Sequence, residues 1–192
     1  MSIAPRLIAR FRADHPNVGV TMNDFSSHEQ VELLRRDALD LGFVRLPVPA
    51  EFEALPLASD QLAIASPARI EIRAGGDPVQ ALADHDFVAL RDGRGPGLSA
   101  QIRDWCRASD FHPKIVQEAD DIQTVLALVA AGLGCAIVPA SSSALLPGRL
   151  TLTPIAGEAA RWTVGAVWKS SRNFGALAGL VRILRAAEEA ET

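Results

Sequence analysis

HPKIVQEADDIQTVLALVAAGLGCAIVP, residues 112–139, carries the pattern that decides the fold. Lys114–Ala119 reads as a strand. Asp120 to Ala131 reads as a helix opened by a D-x-x-Q pattern (Asp120, Gln123), and Cys135-Ala-Ile-Val138 as a buried strand stopped by Pro139. Two strands joined by so long a crossover favour parallel pairing, which places the segment in the α/β class. The same order occurs earlier in the chain. His15-Pro16 is followed by an alternating strand, Val18–Asn23. A helix then opens at Ser26-Ser27, with Ser27 as cap and Gln30 completing a capping box, and Asp40–Arg45 is a buried strand. Residue identity between the two segments is low, but both predict a strand–helix–strand unit and together they predict two α/β lobes.

Outward from these units, Leu7, Ile8 and Phe11 are spaced for a first helix that ends before His15-Pro16. Short strands are expected at Ala54–Leu57 and Leu62–Ala65, a proline-led helix after Asp77, and a strand at Phe87–Leu90. A glycine-rich loop, Arg91 to Ser99, leads into a helix that ends near Ser109. Leu150–Thr153 and Thr163–Trp168 read as strands, and Asn173 to about Ala187 as a closing helix.

Composition narrows the function classes. The 192 residues, 48% apolar and 22% charged, suit one large domain or two small lobes and exclude a disordered tail. The densest apolar run, Val125–Pro139, is interrupted by Gly132 and Gly134 and is too short to span a bilayer. Arg6, Arg10 and Arg12 break up the N-terminal apolar residues, unlike a signal peptide, so a cytoplasmic protein with no membrane partner is expected. Cys106 and Cys135 are the only cysteines and lack C-x-x-C spacing; two reduced thiols are expected. A net charge of −4 with scattered cations offers nucleic acid no basic face.

Catalysis has no constellation behind it. The four histidines (15, 28, 85, 112) are scattered, and no nucleophile-elbow, zinc-protease or phosphate-loop motif occurs. Gly93-Arg-Gly-Pro-Gly97 lacks the lysine of a nucleotide cradle, and Asp120-Asp121 suits helix capping better than acid–base work. No enzyme activity, cofactor or metal is expected. Anion capture is better supported. Ser26-Ser27 and Gly97-Leu98-Ser99 stand at helix N-termini, where unpaired N–H groups and the helix dipole favour carboxylates. Arg45 stands just past a buried strand, where open α/β sheets place their ligand crevice. Taken singly, each serine could simply cap its helix and Arg45 could pair with a surface acid; their convergence points to a ligand.

Pro5-Arg-Leu-Ile-Ala-Arg-Phe-Arg-Ala-Asp-His-Pro16, Leu33-Leu-Arg-Arg-Asp-Ala-Leu-Asp-Leu-Gly-Phe43, Val116-Gln-Glu-Ala119 and Val129-Ala-Ala-Gly-Leu-Gly-Cys-Ala-Ile-Val-Pro139, in that order, resemble the effector-binding domain of LysR-type transcriptional regulators. The resemblance covers nearly the whole chain. Gly42–Arg45 and the block from Gln117 to Ala140 are most similar to regulators of aromatic-compound degradation. It implies two Rossmann-like lobes joined by two crossing strands, as in type 2 periplasmic binding proteins. Lobe I would be residues 1–62 plus 166–192, and lobe II residues 63–165. A small aromatic or unsaturated carboxylate inducer would lie in the cleft. By position, Ser27 would match the hydroxyl residue of the second helix and Arg45 the strand-end residue that holds ligand. Pro96, Gly97 and Leu98 would match the covering loop, and Thr124 and Pro139 the cleft wall.

The resemblance further implies homodimers, or tetramers when the protein is full length, and DNA contact only through an N-terminal winged helix-turn-helix outside these residues. The family's opening strand of lobe I is expected to be missing, and the absence of tyrosine rules out a tyrosine-based second aromatic pocket. Three rival readings are a solute-binding protein of a transporter with the same fold, a small α/β enzyme, and a scaffold that only dimerises.

Overall fold

The computed structural model describes residues 3–68, 70, 72, 77–91, 97–145, 148–172 and 175–191. Its elements in chain order are α1 (Ile3–Asp14), α2 (Ser27–Arg35), β1 (Gly42–Arg45), β2 (Phe52–Pro67), α3 (Pro78–Leu82), β3 (Asp86–Leu90), α4 (Leu98–Ala108), β4 (Lys114–Ala119), α5 (Ile122–Ala130), β5 (Ala136–Pro139), β6 (Leu150–Pro154), β7 (Arg161–Lys169) and α6 (Gly175–Glu191). The chain divides into two compact units, residues 1–59 with 163–192, and residues 60–162. β2 and β7 carry the chain from one unit into the other.

In the first unit, β1 pairs antiparallel with β7, from Gly42 opposite Val167 to Arg45 opposite Val164. Leu7 and Phe11 of α1 pack with Val181, Ile183 and Leu184 of α6 and with Ala166 and Trp168 of β7. A second cluster joins Leu34 of α2, Val44 of β1, Phe52 of β2 and Val167 of β7. Successive residues of β7 therefore feed opposite clusters, as the two-residue period of a strand requires.

In the second unit, β3 and β4 are parallel and α4 makes the crossover between them. Cys135, just ahead of β5, bridges in parallel to Phe87 on the other side of β3. β5 and β6 both pair antiparallel with the second half of β2. Helices cover both faces. Phe87, Cys135 and Ile137 meet Ile102, Trp105 and Cys106 of α4 on one side. Val88, Ala136 and Val138 meet Val125, Leu126 and Val129 of α5 on the other. Burial on both faces is why these strands read as continuous apolar runs rather than alternating ones. Each fully buried Leu or Val contributes roughly 1.5–3 kcal/mol.

Two expectations about strands are corrected. Residues 18–23 form no strand: Val18 and Val20 pack toward the core while Thr21, Met22 and Asn23 are exposed. Alternation reports which side of a segment is buried; a strand also needs a neighbour at ladder distance. The short strands expected at 54–57 and 62–65 are one strand, β2. Its polar middle stays extended because the Asp60 carboxylate accepts from the Gln61 and Ser141 amides and from the Ser141 hydroxyl. The parallel pairing expected within each strand–helix–strand unit is corrected too: β4 pairs parallel with β3 while β5 pairs antiparallel with β2, and β1 pairs antiparallel with β7.

Candidate functional site

The sequence S-S-H-E-Q at 26–30 offers two capping registers, and the chain adopts the one not expected. Ser26, not Ser27, is the N-cap of α2. Its hydroxyl accepts from the Glu29 amide at 3.3 Å, and its own amide donates to Glu29 Oε2 at 2.8 Å. Charge explains the choice, because a Glu carboxylate in the first turn also meets the positive end of the helix dipole, which a neutral Gln does not. Ser27 and Gln30 are thereby released from capping, and both reach β1.

Ser27 Oγ accepts the Arg45 backbone N–H at 3.2 Å. The Gln30 carboxamide oxygen accepts the Phe43 N–H at 2.8 Å, and its amino group donates to Phe43 O at 3.1 Å and to Phe25 O at 2.8 Å. The structure thus brings Ser26, Ser27 and Arg45 together at one end of β1, all three half-buried. In this bond the Ser27 hydroxyl acts as acceptor, which leaves its O–H a donor. Gln30, which tethers this assembly, was not singled out from the sequence as a site residue, since it looked like the far half of a capping box.

In the second unit the candidates divide. Gly97 is the N-cap of α4, with no side-chain capping bond and no acidic residue in the first turn; Leu98 is half-buried and Ser99 buried. Pro96 lies outside the described residues, as do residues 92–95 of the glycine-rich loop. Pro139 ends β5 opposite Leu62 of β2. Thr124 is exposed and committed to capping: the N-cap of α5 is Asp121, whose carboxylate accepts from the Thr124 amide and hydroxyl, each at 2.8 Å. Those bonds, the backbone amide foremost, hold the Asp121 carboxyl below the ordinary carboxylate value. The expected Asp120–Gln123 box is therefore corrected by one position, and Asp120 instead pairs with Arg91 at 2.8 Å.

Depressions on the described residues include two of some size. One of about 370 Å³ in the first unit is lined by Phe11, Val18, Val20, Phe25, Gln30, Phe43 and Leu180 among others, and Ser27 and Arg45 do not line it. The other, about 440 Å³ and open, runs along α4 past Gly97, Gln101 and Trp105.

Comparison with known proteins gives this geometry a context. The family profile "LysR substrate binding domain" matches residues 1–188. The chain is 25% identical over 187 residues to the Hca operon transcriptional activator HcaR of Escherichia coli, covering 96% of this chain and 63% of that protein. It is 27% identical over 158 residues to the transcriptional regulator BenM of Acinetobacter baylyi, covering 80% and 52% respectively. Hence the chain spans about half to two thirds of the length of these relatives. Among solved structures, the BenM effector-binding domain with its effector benzoate superposes with a TM-score of 0.78 at 22% identity, covering 100% of this chain and 87% of that one. Full-length CbnR complexed with its target DNA gives a TM-score of 0.78 at 22% identity, over 97% and 66%. These likenesses show the fold, the type 2 periplasmic-binding-like fold of LysR effector domains. With a profile match across nearly every residue and that fold, the chain belongs to the LysR substrate-binding domain family.

Proposed function

We propose that this chain senses a small aromatic or unsaturated carboxylate for a LysR-type transcriptional regulator, binding it without turnover. The observation that carries the reading is the Arg45 amide held on Ser27 Oγ at 3.2 Å. It sets a hydroxyl, a helix start and the backbone of the strand-end Arg45 side by side, and a hydroxyl and a guanidinium are donor types a carboxylate needs. Within the second unit, Gly97 begins α4 without a side-chain cap, next to Leu98 and Ser99, and a helix start of this kind suits an anion. Relatives and neighbours give the reading its class: BenM's solved effector is benzoate, and CbnR was solved on its target DNA. In a full-length protein, self-association and a separate DNA-binding segment would convert ligand binding into a changed presentation to DNA, in the cytoplasm. Such a domain responds by shifting between conformations of unequal ligand affinity.

Calorimetric titration of the chain with benzoate and with muconate tests this. At least one acid is expected to bind, and Arg45→Ala is expected to weaken that binding roughly tenfold or more, the worth of lost charge-assisted hydrogen bonds. The variant should keep the wild-type circular dichroism melt. Equal affinity in the variant would overturn the assignment of Arg45, and no heat from either acid would overturn the carboxylate reading.

A further inference from the structure

We propose that Gln30 is the positioning residue of this site: its carboxamide gives Phe43 the bonds that the peptide group of a neighbouring strand would give, and locks the start of α2 onto the outer edge of β1. The inference rests on the reading of Ser27 and Arg45 as ligand contacts.

The β1–β7 register fixes which backbone groups of β1 face outward. Leu46 donates its N–H to Thr163 O at 2.9 Å, so the even-numbered residues turn their backbone groups toward β7. Phe43 and Arg45 therefore turn theirs to the opposite edge. A bare edge of this kind would leave half-buried backbone groups unpaired. α2 supplies the partners. Gln30 gives Phe43 one acceptor and one donor, the pair a peptide unit would give, and spends its second N–H on Phe25 O. Ser27 takes the Arg45 N–H. The carboxamide orientation is fixed by this network, since the reverse placement would set an NH₂ against an N–H and an oxygen against two carbonyls.

Ser27 and Gln30 are three residues apart and share one face of α2. Anchoring Gln30 to Phe43 consequently holds Ser27 against Arg45, two residues further along the same edge. Helix capping is handled separately by Ser26 and Glu29, so the two functions of this helix start do not overlap. β1 itself makes room for the latch. A Cβ added at Gly42 would lie 2.8 Å from Gln30 Oε1, closer than that atom tolerates without moving.

The test reads amide hydrogen exchange and benzoate affinity in Gln30→Leu, in Gly42→Ala, which keeps the glutamine but crowds it, and in the double variant. In each single variant, exchange at Phe43 and Arg45 is expected to rise roughly two- to tenfold, the worth of one hydrogen bond. Val44 and Leu46, which face β7, should keep wild-type rates. Benzoate affinity should fall by a similar factor, and the double variant should lose no more than the worse single one, because both substitutions act through one carboxamide. Unchanged exchange at Phe43 and Arg45, additive losses in the double variant, or altered exchange with wild-type affinity would each overturn the proposal. Should the wild-type chain bind neither benzoate nor muconate while exchange moves as stated, the latch stands and the carboxylate reading falls.

Discussion

Cys106 and Cys135 are free and buried, 7% and 0% exposed, and burial pushes both thiols from 9.0 up to about 11. Thiolate is the nucleophilic form, so neither side chain should react in the folded protein at neutral pH. Iodoacetamide is expected to label neither cysteine until denaturant unfolds the chain, as read by intact-mass spectrometry; fast native labelling at either would show that the burial is wrong. The raised values also set the sign of an alkaline effect. Above pH 9.0 the unfolded chain sheds thiol protons that the folded one keeps, so their contribution to stability is complete below that pH and drains away as pH rises toward 11. Other residue roles were less legible. A hydroxyl pair at a helix start and an arginine at a strand end were readable from 26–27 and 45, because those positions imply amide partners and exposure. The role of Gln30 was hidden, because S-S-H-E-Q fits two registers one residue apart and only the pairing with β1 reveals what the unused one does. The same slip occurred at Asp120-Asp121, where Arg91 claims the first carboxylate and leaves the second to cap α5.

Among the elements, β3 and β5 were the easiest to read and residues 18–23 the hardest. Phe87–Leu90 and Cys135–Val138 are short apolar runs because helices cover both faces, and no other placement suits so little polarity. Val18–Asn23 has a good two-residue alternation and still forms no ladder, since alternation is local and pairing is not. β2 was split in two at residues whose polarity is answered by Ser141, far along the chain. The glycine pair 132 and 134 interrupted the apolar run in the sequence without showing why the second must be small. The structure shows it: a Cβ on Gly134 would lie 2.2 Å from Asp86 O and 2.6 Å from Asp86 C, both backbone atoms of β3. The backbone there is held by hydrogen bonds on both sides of the contact, Cys135 N to Asp86 O and Val88 N to Cys135 O, each 2.8 Å. Gly134→Ala must push β3 and β5 apart at the centre of the second unit. It is expected to cost about 1–3 kcal/mol, the usual range for overpacking, in urea unfolding. Gly148→Ala, where an added Cβ meets nothing within 4 Å, serves as the comparison for steric crowding alone, its own backbone strain at φ +76 being separate. A fully stable Gly134→Ala protein would mean that the approach of Cys135 to β3 is looser than 2.8 Å hydrogen bonds imply.

At the scale of the molecule, charge bears on the proposal that DNA contact lies outside these residues. The net charge of −4 excluded a basic chain at the outset, but a net value cannot show whether cations gather on one face. The partners of seven of the 19 cations bear on that. Arg35, Arg91, Arg107, Lys114, Lys169, Arg172 and Arg185 each lie within 4.0 Å of a carboxylate. These pairs are mostly exposed and add little stability individually, yet each cancels a charge that would otherwise meet a phosphate. Affinity for duplex DNA comes chiefly from cations that release condensed counterions, and a cation already facing a carboxylate releases few. The 192-residue chain is therefore expected to show no measurable binding to duplex DNA at physiological salt by fluorescence anisotropy, with or without benzoate. Lowering the salt should bring at most weak, sequence-independent association. Tight binding with a steep salt dependence would reveal a phosphate-tracking surface among these residues and would move DNA recognition into the sensing domain itself. A flat response leaves the ordered series of motifs across residues 1–188, and the α/β fold they specify, serving ligand capture alone.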